Sequence, residues 1–152
     1  MTQIVILIAL VATLVFTIVD DWRNYTIRNE AILILLALFA ARMIALGDYA
    51  HIGGQLMLAA FMFVTLLIIY SRGWMGGGDV KLLAVAFLWI GVAELSTFTL
   101  LMCALVIVYY VAAKLKFAPS RGQARVYIPF APCISGAWLL TLALNFAKNV
   151  PP

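Results

Sequence analysis

The chain has 152 residues, 66% of them hydrophobic and only 11% charged, with a formal net charge of +4 and a mean hydropathy of +1.12. Soluble domains run at about 45–50% apolar and about 25% charged, so a water-soluble globule of this length could not hide its apolar surface. A bilayer can, and the composition predicts an all-α polytopic membrane bundle, a single membrane-embedded domain over residues 1–152.

The positive charge does not point to nucleic acid, because no basic stretch carries interleaved aromatics. Metal chemistry finds no ligand cluster either. Cys103 and Cys133 sit in apolar runs with no C-x-x-C pair, and His51 is the single histidine, in a short polar turn. No cofactor and no metal are expected.

Met1 to Val19 is apolar, with no Lys or Arg before it and Asp20-Asp21-Trp22-Arg23 after it. A secretory signal starts basic and ends at a small-residue cleavage site, so this run is expected to stay as a first helix. A spanning helix needs about 20 apolar residues. The expected spans are Thr2–Val19, Ala31–Leu46, Ile52–Tyr70, Val80–Ala93, Ser96–Leu115 and Ile128–Ala147. A single helix from Val80 to Leu115 would be ~54 Å long, against a hydrocarbon core of ~30 Å. A break at Glu94-Leu95-Ser96 is therefore expected.

Six spans partition the charges. With the Asp21–Asn29 loop inside, Arg23, Arg28, Arg72, Lys81, Lys114, Lys116, Arg121 and Arg125 fall inside, and only Arg42 and Lys148 lie near the outside. Basic residues favour the cytoplasmic side, so both termini are expected outside. The polar loop Lys116–Arg125 reads first as a topological anchor and second as a substrate contact.

Carboxylates at membrane depth are costly and mark function by default. Asp48 and Glu94 fall in outer turns, where water can reach them, and Glu30 opens the second helix, where a negative charge suits the dipole. Asp20 and Asp21 close the first helix. Thr13, Thr17 and Asp21 repeat every four residues and share one face, so Asp21 rather than Asp20 should look into the bundle. Asp79 follows Gly76-Gly77-Gly78. It reads as an N-cap, or as a catalytic acid approached closely by a substrate backbone across the glycines. A phosphate-type loop fits poorly, because a carboxylate there repels anions. The predicted topology brings Asp21 and Asp79 to the same face at similar depth. If they also meet laterally, they can share a proton, one activating water and the other donating to a carbonyl.

Three segments carry a resemblance. Asp21-Trp22-Arg23-Asn24-Tyr25-Thr26-Ile27-Arg28-Asn29 is similar to the D-x-R-x-x-x-I-P-N segment of type IV prepilin peptidases. Gly76-Gly77-Gly78-Asp79-Val80-Lys81 resembles their G-x-G-D-x-K segment, and Ile128-Pro129-Phe130-Ala131-Pro132 the P-[YF]-x-P start of their last helix. The order and spacing match as well. The resemblance implies a membrane aspartyl endopeptidase that removes the basic leader of prepilins or pseudopilins at the cytoplasmic face of a bacterial inner membrane. Asp21 and Asp79 match the catalytic pair, with Gly76, Gly78, Lys81, Arg23 and Asn29 in supporting positions. The implied partners are prepilins and membrane lipid, with self-association open. Arg28 stands where the family has proline. The chain has no C-x-x-C pair and resembles the short, peptidase-only members of tight-adherence (Flp-type) pilus systems. The alternatives are a small transporter or channel subunit using the same acids as ion sites, and an inactive pilus-assembly partner.

Overall fold

The computed structural model describes residues 1–24, 26–47, 52–115 and 130–149. Six α-helices follow in order: α1 (Thr2–Asn24), α2 (Asn29–Leu46), α3 (Ile52–Ser71), α4 (Gly77–Ile90), α5 (Leu95–Lys114) and α6 (Ala131–Asn149). The described residues contain no strand. Four helices, α1, α2, α3 and α5, are long and apolar enough to cross a membrane. The expected positions of Asp48, His51, Tyr25, Ile128, Pro129 and the Lys116–Arg125 loop lie outside the described residues.

α4 occupies the centre and packs against α2, α3, α5 and α6, while α1 closes the bundle against α2 and α6. Its sequence after Asp79 is apolar on nearly every side, and a helix apolar all round belongs in an interior. Val80, Leu82, Leu83, Val85, Ala86, Phe87, Leu88 and Trp89 are all buried. At 14 residues α4 is only ~21 Å long, shorter than a bilayer core; it runs among its neighbours rather than through lipid. The outer helices show the reverse pattern, with Ile4, Val5, Ile8, Leu33, Phe61, Leu100 and Ile107 turned outward. In water these would be an aggregation hazard; against acyl chains they are the matching surface.

Side-chain contacts fix the core. The Trp89 indole N–H donates to the Leu35 carbonyl at 3.0 Å, tying α4 to α2. The Trp89 ring meets Phe39 and Trp138 edge-on, with centroids 5.7 and 6.1 Å apart. Contacts also order the helix ends. The start of α6 meets the end of α1, the start of α4 meets the start of α2 and the end of α3, and the end of α6 meets the start of α5.

The break after α4 comes slightly earlier than the sequence suggests. The turn spans residues 91–94 and α5 already begins at Leu95. Gly91 causes this. It terminates α4 at φ +67 and ψ −171, a backbone region that disfavours any Cβ, and its N–H donates to the Phe87 carbonyl.

Candidate active site

Asp21 lies in the last turn of α1, only 5% exposed, and Thr17 one turn earlier is also buried. The four-residue stripe therefore does face the bundle. The threonines do not bond the acid, however. The Thr13 hydroxyl donates to the Ala9 carbonyl and that of Thr17 to the Thr13 carbonyl, each at 2.8 Å. Their hydroxyls are satisfied within their own helix, leaving Asp21 to find its partner elsewhere.

That partner is the start of α6. The Ala131 N–H donates to Asp21 Oδ2 at 3.2 Å, and Ala131 is fully buried. The first amides of a helix have no acceptor inside it and carry the positive end of the helix dipole. A carboxylate is the acceptor such an end favours. The third sequence segment thus joins the site through its backbone. Cys133, two residues further along α6 and buried, lies close enough to feel the charge of both Asp21 and Asp79.

Asp79 is not an N-cap. Gly76 holds that position, with φ −71 and ψ 145, and Asp79 is the third helical residue of α4. Its carboxylate turns back to accept the Gly76 N–H, the reciprocal half of a capping box. The glycines then have definite reasons. A Cβ on Gly76 would stand 2.9 Å from Asp79 Oδ2, and one on Gly78 would stand 3.0 Å from Ile27 Cβ. A Cβ on Gly77 would press on the Tyr70 ring at 3.4 Å. The glycines therefore admit the chain's own Asp79 carboxylate, Tyr70 and Ile27. Through Ile27 and Gly78, the first sequence segment packs on the second.

Asp79 stands ahead of the apolar stretch of α4. Burial first, and then the Asp21 charge, push its carboxyl up to about 7, against the Gly76 N–H, which favours the ionised form. The two acids therefore interact, although α1 and α4 do not pack directly. Neither acid has an ion-pair partner among the described residues. The nearby cations are held by other groups. Lys81 Nζ donates to Asn29 Oδ1 at 2.9 Å, linking α4 to the start of α2. Arg28 Nε lies 3.6 Å from Asp20 Oδ2, and the Asn24 amide donates to Asp20 Oδ1 at 2.7 Å. Arg23 is exposed on the last turn of α1, well round the helix from Asp21, and is not drawn into the cluster.

Arg28 occupies φ −72 and ψ 138, a conformation proline adopts without strain. The backbone of the turn is thus the one the family proline would impose, and the Asp20 ion pair now anchors it.

The chain has clear counterparts among known proteins. The profile of the type IV leader peptidase family matches residues 8–111. The chain belongs to the type IV leader peptidase family. It is also similar to the prepilin leader peptidase/N-methyltransferase of Bacillus subtilis (strain 168), 32% identical over 137 residues. That match covers 88% of this chain and 53% of the relative, so the chain spans about half its length. No solved structure matches the chain. The family match ends before α6, so the Ala131 contact to Asp21 is an observation of the structure alone.

Sequence reasoning missed four members of this cluster: Ala131, Ile27, Tyr70 and Cys133. Pro129 and Pro132 flag a helix start that could have suggested Ala131, but a backbone donor leaves no trace in residue type. Ile27 was a matched position of the first segment with no role assigned to it, and Tyr70 carried no signal that separates it from ordinary core.

Proposed function

We propose that this chain is a membrane aspartyl endopeptidase that removes the leader of type IV prepilins or pseudopilins, with Flp-type prepilins as the first candidates. The observation that carries this reading is that buried Asp21 and half-buried Asp79 lie close enough for their charges to interact, with no ion-pair partner for either among the described residues. Like charges at close range resist double ionisation, so such a pair holds one proton between two carboxylates. The ionised member takes a proton from an attacking water. The protonated member donates to the carbonyl oxygen of the scissile bond, where charge develops. Asp21, with the Ala131 N–H on Oδ2, is the member better suited to remain ionised. Asp79, with its raised carboxyl, is better suited to donate. The relative's name supports a prepilin substrate, and the excess of Lys and Arg at this end of the helices supports a cytoplasmic-side cut in the inner membrane.

The deciding experiment mixes the purified chain with a candidate prepilin in detergent and follows leader loss by gel shift. Cleavage by the parent, without added metal or methyl donor, and none by Asp21→Asn or Asp79→Asn is the expected outcome. Normal cleavage by both variants would refute the dyad. Fusions of a cytoplasm-only reporter at Met75 and Arg121 should be active, and those at Asp48 and Pro152 silent. The opposite pattern would overturn the side assigned to the site.

A further inference from the structure

Consecutive helices joined by a short loop normally pack together. Here α2 and α3 both pack against α4 and not against each other. The gap between them is a cleft of ≈ 340 Å³, open along one side, with Ala84, Val85 and Leu88 of α4 as its floor. Ile32 and Leu36 line one wall, and Ala59, Ala60 and Phe63 the other. Every lining residue is apolar except Lys81, at the end of the cleft nearest the aspartates.

Three features mark that end as the headgroup level. Tyr70 and Trp74 are exposed there, as aromatics are at membrane interfaces. Arg72 lies with its guanidinium 5.8 Å from the Trp74 ring centroid. The Lys81 ammonium is exposed and donates to the neutral Asn29 amide. An ammonium has three N–H donors and a full charge, and no carboxylate among the described residues pairs with it.

We propose that the α2–α3 cleft holds one acyl chain of an anionic phospholipid, whose head phosphate is met by Lys81. A single ammonium at the mouth of an otherwise wholly apolar cleft matches the single phosphate and apolar chain of a phospholipid. The apolar walls cannot choose among lipids, because a chain leaving bulk bilayer gains little by entering them. Selectivity resides in the charge at the mouth, as in basic pockets between membrane helices that take acidic headgroups.

The test uses the full chain in detergent, offered equal amounts of phosphatidylglycerol and phosphatidylcholine with the same acyl chains. Bound lipid is read by native mass spectrometry. The parent should retain one phosphatidylglycerol, preferred about tenfold or more over phosphatidylcholine. Lys81→Gln should bind both lipids equally, and Lys81→Arg should restore the preference. Ala84→Phe, which fills the floor, should lose retention of both. Glycerol phosphate, which has no acyl chain, should not displace the bound lipid; displacement would mean a free-phosphate site and would overturn the proposal. Equal retention of the two lipids by the parent, or an unchanged preference in Lys81→Gln, would also overturn it. So would a photocrosslinker at Ala60 that labels an added prepilin helix in place of lipid.

Discussion

The two ends of the bundle treat charge in opposite ways. At the end formed by the α4–α5 turn, Glu94 lies 3.9 Å from Lys148, and the Arg42 guanidinium sits 5.4 Å from the centroid of the Trp89 ring. At the other end, Asp21 and Asp79 have only backbone N–H groups for partners among the described residues, while Arg28 and Lys81 serve Asp20 and Asn29. The first arrangement lowers the cost of having charges there. The second maintains that cost for two carboxylates although cations are close by. Evolution of a stable bundle alone would pair them, so the unpaired end is where function is to be sought.

The largest effect should come from the acids themselves. Asp21→Asn, Asp79→Asn and the double variant should all fall to the same residual leader cleavage, because members of one catalytic unit do not contribute additively. All three should insert and express normally. If the double variant were far worse than either single one, the acids would be acting separately.

The glycines offer a sharper contrast. Gly76→Ala places a methyl 2.9 Å from Asp79 Oδ2 and must displace that carboxylate. Cleavage should fall about tenfold or more, with thermal stability changed little. Gly91→Ala forces a side chain into φ +67 beside Gln55. Gly91 has ψ −171, a region open essentially to glycine alone, and the cost is about 1–3 kcal/mol, so thermal stability should drop while the cleavage rate per folded molecule stays the same. Equal losses of activity in the two variants would erase the distinction between the ends.

The pH dependence follows from Asp79. A shared proton is lost as pH rises through about 7, so cleavage should decline over that range and follow the pair's macroscopic behaviour. Stability has the same sign. A carboxyl raised from 3.8 in the unfolded chain to about 7 in the fold binds more protons when folded across that window. Stability is then complete below about 4 and diminishes as pH rises through 7. Asp79→Asn cannot ionise, so at pH 8 it should melt above the parent. A parent whose melting temperature rises between pH 5 and 8 would contradict the burial of this acid.

The surface pairs should matter least. In each pair the basic partner is exposed and the acid half-buried, and ion pairs open to water on one side contribute about 0–1 kcal/mol. Asp20→Asn and Glu94→Gln should therefore cleave within about twofold of the parent and melt close to it. Arg28→Pro should be tolerated equally, since φ −72 already suits proline. A dead Asp20→Asn would show that the Asp20–Arg28 pair holds the α1–α2 turn more tightly than its exposure suggests.

Much of the fold was legible because a bilayer imposes a simple rule. Apolar runs of sufficient length with polar breaks must become helices, since no other local structure satisfies its own hydrogen bonds in lipid. Helices of the expected order and approximate bounds follow from that rule alone. The four-residue repeat of Thr13, Thr17 and Asp21 likewise sufficed to choose Asp21 over Asp20 as the inward acid, because helical periodicity is local. Other features needed the assembled molecule. The expected fourth span, Val80–Ala93, was already short in the sequence, and only packing makes it a central helix enclosed by four others. Asp79 could be read as a cap or as an acid; the structure puts Gly76 at the cap and turns the carboxylate back on it. The Ala131 N–H on Asp21 joins residues 110 positions apart. The glycines' true neighbours, Tyr70 and Ile27, come from other segments. Such contacts depend on where separate helices meet, and a linear pattern records only which face of each helix is apolar.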